Sequence, residues 1–426
     1  MPSPRISVSA AYLSVVGGIA ALFCSVGFFI AFGIFQGYYK DEIMRDKSDF
    51  DISWIGSVLV FLLYISAPGC GVLVDVFGPR AMLVGGSVGV LLSIFLTSLC
   101  TQYYQFFLCQ AVLLGISMAF ITWPPMAVVS RHLPHRRGLA LGIVTGGSSI
   151  GGVIWPIMID QLLYKRELGF PWTMRVVGFT MMPILLIACL TITEPKTKPQ
   201  VPQGASLAGN ADSGASGGQS DGREEEKEKE KEPPSLLRNP VFVFLCLGFG
   251  LGFFGVFNPF FYISSYAAAH GVSPETSFYM ISIINAASLL GRVVPGYLAD
   301  RFGHYNVIIC SLLSSGIISF CWTAVTSLSG LIVWSLVYGF FAGAILSLPG
   351  ACVGKIATPR NQGRAIGFLQ GTSAMTVLFG SPIGGQLLGK YGYLPLSMFT
   401  GATLSAGAVC LIAARLKLDS SLLASV

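Results

Sequence analysis

Apolar residues come along this chain in twelve long runs separated by short polar pieces: about 12-38, 53-74, 81-101, 104-129, 138-160, 172-193, 239-266, 277-299, 305-327, 329-354, 364-389 and 393-414. A helix needs roughly 20 mostly apolar residues to cross a bilayer, whereas a barrel strand needs about 9 to 11 of alternating polarity. The runs are far longer than such strands and do not alternate, so the pattern predicts twelve transmembrane helices. Within lipid every backbone polar group must be satisfied internally, which sets the fold class as an all-α membrane protein.

One stretch departs from this pattern. Residues 194-238 are rich in Gly, Ser and Ala from Gly204 to Gly222, then read REEEKEKEKE over Arg223 to Glu232 before Pro233 and Pro234. With so little apolar surface to bury, the segment reads as a flexible linker. It divides the chain into an N-terminal six-helix bundle at 1-193 and a C-terminal six-helix bundle at 239-426.

Composition sharpens the picture. Only 11% of residues are charged and 53% are hydrophobic, against roughly 25% charged in soluble domains. The net charge of +6 resides in short loops, not on a basic face, so a lipid bilayer and not nucleic acid is the expected partner. Lys and Arg favour the cytoplasmic side. Of the 26, 18 lie on the side of both termini and the linker, seven lie on the other, and Arg292 stands within a span. Both termini and the linker are therefore expected in the cytoplasm, in a multi-pass protein of the plasma membrane.

The ten cysteines form no CxxC pair and read as small core residues. No His/Cys/Asp/Glu cluster has metal-ligand spacing, and no cofactor is expected. Gly147-Ser148-Ser149-Ile150-Gly151 fits G-x-S-x-G and Gly250 to Gly255 fits G-x-G-x-x-G. Both strings fall inside spanning helices, without the strand that hydrolase or dinucleotide chemistry requires, so an enzyme is not expected.

The chain repeats itself. Gly71-Val72-Leu73-Val74-Asp75-Val76-Phe77-Gly78 matches Gly296-Tyr297-Leu298-Ala299-Asp300-Arg301-Phe302-Gly303 at a shift of 225. The same shift carries Gly138, Ala140, Gly142, Gly146 and Ser148 onto Gly363, Ala365, Gly367, Gly371 and Ser373, Pro124 and Pro134 onto Pro349 and Pro359, and Gly27-Phe28-Phe29 onto Gly252-Phe253-Phe254. Charged and proline positions agreeing at one offset across several spans indicate a six-plus-six duplication.

The repeated G-x-L-x-D-x-F-G resembles the cytoplasmic loop motif of the major facilitator superfamily. Arg136-Arg137-Gly138-Leu139-Ala140-Leu141-Gly142, the Gly147 to Pro156 string, Phe32-Gly33-Ile34-Phe35-Gln36, and Gly291-Arg292 before Pro295 are similar to its monocarboxylate porter branch, especially fungal members. The resemblance implies two pseudo-symmetric six-helix bundles rocking about a central site. It also implies a gating role for Gly71, Asp75, Gly78, Arg80, Gly296, Asp300, Arg301 and Gly303.

Polar groups within the spans are the candidate site. A central Arg costs about 2.5 to 3.5 kcal/mol on the insertion scale and normally faces a cavity or partner. Ser282, Asn285, Ser288 and Arg292 recur at helical spacing and share one face. Arg292 is suited to a substrate carboxylate through its planar fork, or to a structural role toward the Asp300 loop. Gln36, Asn258, Tyr262, Tyr266 and Gln370 could hydrogen-bond a solute or glue helices together. Pro124, Pro156, Pro349 and Pro382 are expected to kink their spans.

Proton-linked members of the branch carry a Lys in span 1 and an acid one turn before the span 8 Arg. This chain has Gly33 and Ser288 there, which leaves the involvement of protons open. The expected function is secondary transport of a small organic anion by alternating access, by a monomer. The alternatives are efflux of a larger organic metabolite, for which the aromatic Phe28, Phe257, Tyr262 and Tyr266 leave room, and an uncoupled facilitator.

Overall fold

The structure, a computed structural model, describes residues 8–193, 238–357 and 362–419. Among them every regular element is helical. Ten helices are long and apolar enough to cross a membrane: α1 (Ser9–Ile43), α2 (Asp51–Val74), α3 (Val76–Thr97), α4 (Tyr103–His132), α5 (Pro134–Lys165), α6 (Phe170–Thr191), α7 (Pro240–Ala269), α8 (Thr276–Phe302), α10 (Leu328–Val353) and α12 (Tyr393–Leu418). The shorter α9 (His304–Phe320) and the 30-residue but more polar α11 (Gln362–Tyr391) complete the expected twelve. The linker expected at 194-238 lies outside the described residues, apart from Arg238.

The two bundles meet along two seams, α2 against α11 and α5 against α8. Glycine makes these contacts close. A Cβ on Gly138 would meet the Gly296 carbonyl, and one on Gly71 would meet the Gly363 carbonyl; Gly142 faces the Arg292 carbonyl and Gly367 that of Ala67. Each pair of contacts is related by the shift of 225, so the repeat in the sequence becomes a pseudo-twofold relation between seams. Without side chains in the way, backbones approach directly, the packing that membrane helices use in place of a hydrophobic driving force.

These contacts lie toward the end that carries the repeated loop motif, and that end is closed. The Asp300 carboxylate accepts from the backbone N–H groups of Gly138 at 2.8 Å and Leu139 at 2.9 Å. These belong to the first turn of a helix beginning at Arg137, where unpaired N–H groups and the dipole favour an anion. His304 Nε2 lies 3.1 Å from the same carboxylate. Arg137 donates to the Gly354 carbonyl at the end of α10, 2.8 Å away.

Gly78 and Gly303 have φ of +78° and +96°, the region glycine enters without penalty; Gly78 kinks the first turn of α3, and Gly303 separates α8 from α9. Arg80 and Arg301 are exposed, and Arg301 stacks on Tyr297 at 4.6 Å. The side chain of Asp75 lies outside the described set.

Several helices are broken where they border the centre: α1 at Ser25 and Ala31, α2 at Ser66, α7 at Phe257 and α10 at Leu348. The Phe23 carbonyl beside the first break accepts from the Trp155 indole at 2.9 Å, and the Val256 carbonyl accepts from the Tyr338 hydroxyl at 2.9 Å. Side chains thus satisfy backbone groups that lipid could not. Of the four prolines expected to kink spans, only Pro349 coincides with a break, at Leu348; helix continues through Pro124, Pro156 and Pro382.

Two predictions follow from this packing. A Cβ at Gly291 would collide with the Phe340 backbone, whereas one at Gly33 meets nothing within 4 Å. Gly291→Ala should therefore lose at least the about 1–3 kcal/mol typical of overpacking, seen as a lower melting temperature of the purified protein, while Gly33→Ala should unfold like the parent. Asp300→Ala removes two charge-assisted hydrogen bonds of about 1.5–3 kcal/mol each. Spin labels on Cys placed at Arg80 and Lys355 should then report a longer, broader distance distribution by pulsed electron resonance, and an unchanged distribution would show that the cap does not hold this end shut.

Candidate functional site

Opposite the closed end the bundles part around a cavity of about 860 Å³ walled by α1, α2, α7 and α11. Its size falls in the roughly 300–1,000 Å³ range of small-molecule sites. The wall is dominated by Phe29, Phe32, Phe253, Phe254, Phe257, Phe261 and Tyr262, with Gln36, Asn258 and Gln386 among the polar groups. Lys40, Asp41 and Lys390 also line the cavity. The polar positions that make α11 less apolar than its neighbours are partly explained by this wall, to which it contributes Gln386.

A second, smaller space of about 60 Å³ adjoins the first. Phe29, Val60, Phe257 and Phe261 border both spaces. Phe29 from one bundle and Phe261 from the other meet edge to face, ring centroids 6.2 Å apart, and form a partition between them. The inner chamber is lined by Tyr64, Trp123, Thr145, Ser148, Asn285, Arg292 and Gln370.

Arg292 is 3% exposed. Its Nη1 donates across the seam to the Thr145 carbonyl and the Ser148 hydroxyl of α5, and its Nε donates to Ser288 Oγ at 3.4 Å. No carboxylate among the described residues pairs with it, and its Nη2 has no protein partner among them. The guanidinium therefore enters the chamber as a cation held in place by neutral oxygens.

Asn285, one further turn and more along α8, has its amide orientation fixed because Nδ2 donates to the Ile281 carbonyl at 2.8 Å. Its Oδ1 is left buried without a partner, as is Oε1 of Gln370. Gly152 on α5 makes room for this amide, since a Cβ there would lie 2.9 Å from Oδ1.

The residues expected to bind substrate thus separate into two groups. Gln36, Asn258 and Tyr262 line the large cavity; Asn285, Arg292 and Gln370 line the chamber. Ser288 is buried and touches Arg292. Asn258 also donates to Thr400 Oγ1 at 3.1 Å, tying α7 to α12. Tyr266 is buried and donates to the Val325 carbonyl at 3.0 Å, so it braces α7 and does not face the cavity. Among the aromatic residues expected to widen the walls, Phe257 and Tyr262 line the cavity whereas Phe28 is buried in the core.

Sequence reasoning did not single out Thr145, Tyr64, Trp123 or the Phe29–Phe261 partition. The repeat held one signal, because the shift of 225 places Thr145 on Gln370. Tyr64 and Trp123 had none; they sit together in the structure at 5.4 Å because Trp123 donates to the Leu63 carbonyl.

Comparisons with known proteins agree with this architecture. The family described as Major Facilitator Superfamily matches residues 18–297 and 279–422. An MFS-type transporter of Aspergillus fumigatus is 63% identical over 98% of this chain and 95% of its own length. The agnestins efflux protein of Paecilomyces divaricatus is 41% identical over 97% of this chain and 89% of its length. The aspyridones efflux protein of Emericella nidulans is 35% identical over 95% and 78%. Among solved structures, the human organic anion transporter MFSD10 superposes with a TM-score of 0.67 at 16% identity, covering 96% of this chain and all of the other, a likeness of fold. Twelve helices in two related bundles, sealed at one end and parted at the other around a polar-floored cavity, are thus accompanied by matches over nearly the whole sequence: the chain belongs to the Major Facilitator Superfamily of membrane transporters.

Proposed function

We propose that this transporter exports a bulky, largely apolar organic metabolite with an acidic or strongly polar end, by alternating access across the plasma membrane. The observation that carries this reading is the pairing of an aromatic cavity of about 860 Å³ with a single buried cation beyond its partition. A large apolar body would occupy the cavity, where burial contributes about 25 cal/mol per Å². Its polar end would meet Arg292, which has no acidic partner among the described residues. Two relatives named as efflux proteins, for agnestins and for aspyridones, support the direction of transport.

The excess of Lys and Arg on the motif side supports an orientation with that end and both termini in the cytoplasm. On this assignment the cavity opens outward, in the posture from which an exporter releases its load. The glycine seams and the Asp300 cap would separate when the molecule turns inward.

Transport of a small monocarboxylate is the second reading. It is favoured by the chamber, whose roughly 60 Å³ would accept a group of that size, and by the likeness of the Arg292 region to the monocarboxylate porter branch. The two readings differ in what fills the larger space.

Vesicles reconstituted with the purified protein separate them. An amphipathic aromatic acid such as 9-anthracenecarboxylate should be carried at least about tenfold faster than lactate, with Arg292→Gln lowering that flux by about tenfold or more, in line with about 1.5–3 kcal/mol for a charged hydrogen bond. Faster flux of lactate would favour the second reading and overturn the first. Repeating the measurement with an imposed pH gradient distinguishes proton-coupled movement, which the gradient would accelerate, from facilitated movement, which it would not.

A further inference from the structure

Arg292 alone would call for an anion, but it does not stand alone in the chamber. Asn285 Oδ1 is fully buried, held in orientation by the Nδ2 bond to Ile281, and accepts nothing from the protein. Gln370 Oε1, on α11 of the same bundle, is likewise buried without a donor, and Gln370 is 3% exposed. A buried acceptor without a donor costs about 1–3 kcal/mol, and two of them line one space of about 60 Å³ that also holds the open side of a guanidinium.

The three groups line the same space. Helical side chains lean toward the N-terminus of their helix, and the Nε contact to Ser288 shows Arg292 doing so. Its guanidinium is therefore brought from position 292 up toward the level of Asn285. A bare carboxylate would satisfy the guanidinium and leave both amide oxygens empty. A ligand that satisfies all three must bring an anionic or carbonyl oxygen together with a hydroxyl or N–H a few ångströms away.

Resting on the export reading above, we infer that the chamber is a recognition site for the head of an organic acid whose acidic oxygen is accompanied by a nearby hydrogen-bond donor. A β-hydroxy acid or an acidic hydroxy-carbonyl group has this chemistry. Arg292 takes the acidic oxygen, Asn285 Oδ1 takes the donor, and Gln370, whose amide is not fixed by any protein hydrogen bond among the described residues, serves either oxygen or donor. Asn285 is then the residue that distinguishes hydroxylated from unhydroxylated acids. Rejection of an analogue that cannot donate follows from the general rule that a site built for a donor is left with an unpaired acceptor when the donor is missing.

The test is equilibrium binding to the full-length protein in nanodiscs, by tryptophan fluorescence, of three probes: 3-hydroxy-3-phenylpropanoate, its methyl ether 3-methoxy-3-phenylpropanoate, and 3-phenylpropanoate. The hydroxy acid should bind at least about tenfold more tightly than either analogue, and Asn285→Leu should bring its affinity down to that of 3-phenylpropanoate. A melting temperature and elution profile like the parent's show that the variant is folded. Equal affinity of the native protein for the three probes overturns the inference. So does binding of none of them by a protein that still carries 9-anthracenecarboxylate in vesicles, an outcome that leaves the export reading standing. Absence of both binding and carriage removes the export reading together with this inference.

Discussion

A guanidinium sealed between two bundles and balanced by neutral oxygens is the constraint around which this molecule is organised. An arginine at that depth is tolerated only where hydrogen-bond acceptors or a cavity receive it. Thr145 and Ser148 provide them, and both come from the opposite bundle. They can do so because Gly142 lets α5 come against the backbone of Arg292 itself. Thus one charge makes the α5–α8 seam more than a surface of contact: its hydrogen bonds exist only while the two halves are together there. A ligand oxygen at the free side of the guanidinium would offset part of what is lost when they part.

The repeat supplies the frame, and the departures from it supply the site. At the positions that the shift of 225 relates, Arg292 corresponds to Ala67, Asn285 to Val60 and Ser288 to Leu63. One bundle therefore brings the cation and the fixed amide, while the other brings apolar walls and the carbonyl of Thr145. The symmetric glycines at Gly71, Gly138, Gly296 and Gly363 serve closure, whose requirements are the same for both seams. Recognition has no need of symmetry, and Arg292 and Asn285, related to Ala67 and Val60, do not show it.

The sequence disclosed the fold because its signals are local: a run of apolar residues states its own length, and an offset between two runs can be counted. The face shared by Asn285, Ser288 and Arg292 was legible for the same reason, since it follows from helical spacing on one element. The division of the candidates into an outer cavity and an inner chamber was not legible. It depends on Phe29 and Phe261 meeting across the bundles, and no spacing within α1 or α7 encodes that encounter. Likewise Tyr266 looked like a possible ligand group until its hydroxyl was found on the Val325 carbonyl. The prolines misled in part because a proline removes one donor without dictating that the helix stop; the breaks in α1 at Ser25 and Ala31 have no proline at all.

The polarity of α11 bears on how the protein is made. A segment carrying Gln370, Thr372, Ser373, Thr376 and Gln386 is a weaker candidate for entering lipid on its own than the ten more apolar helices. Its partition into the bilayer during synthesis would depend on company, from α2 and α7, already in place, and from α12, emerging just behind it. Substitutions that add polarity to α11 would accordingly be felt first in biogenesis, as chains that never integrate fully and are degraded, before any change in the turnover of finished molecules could be measured.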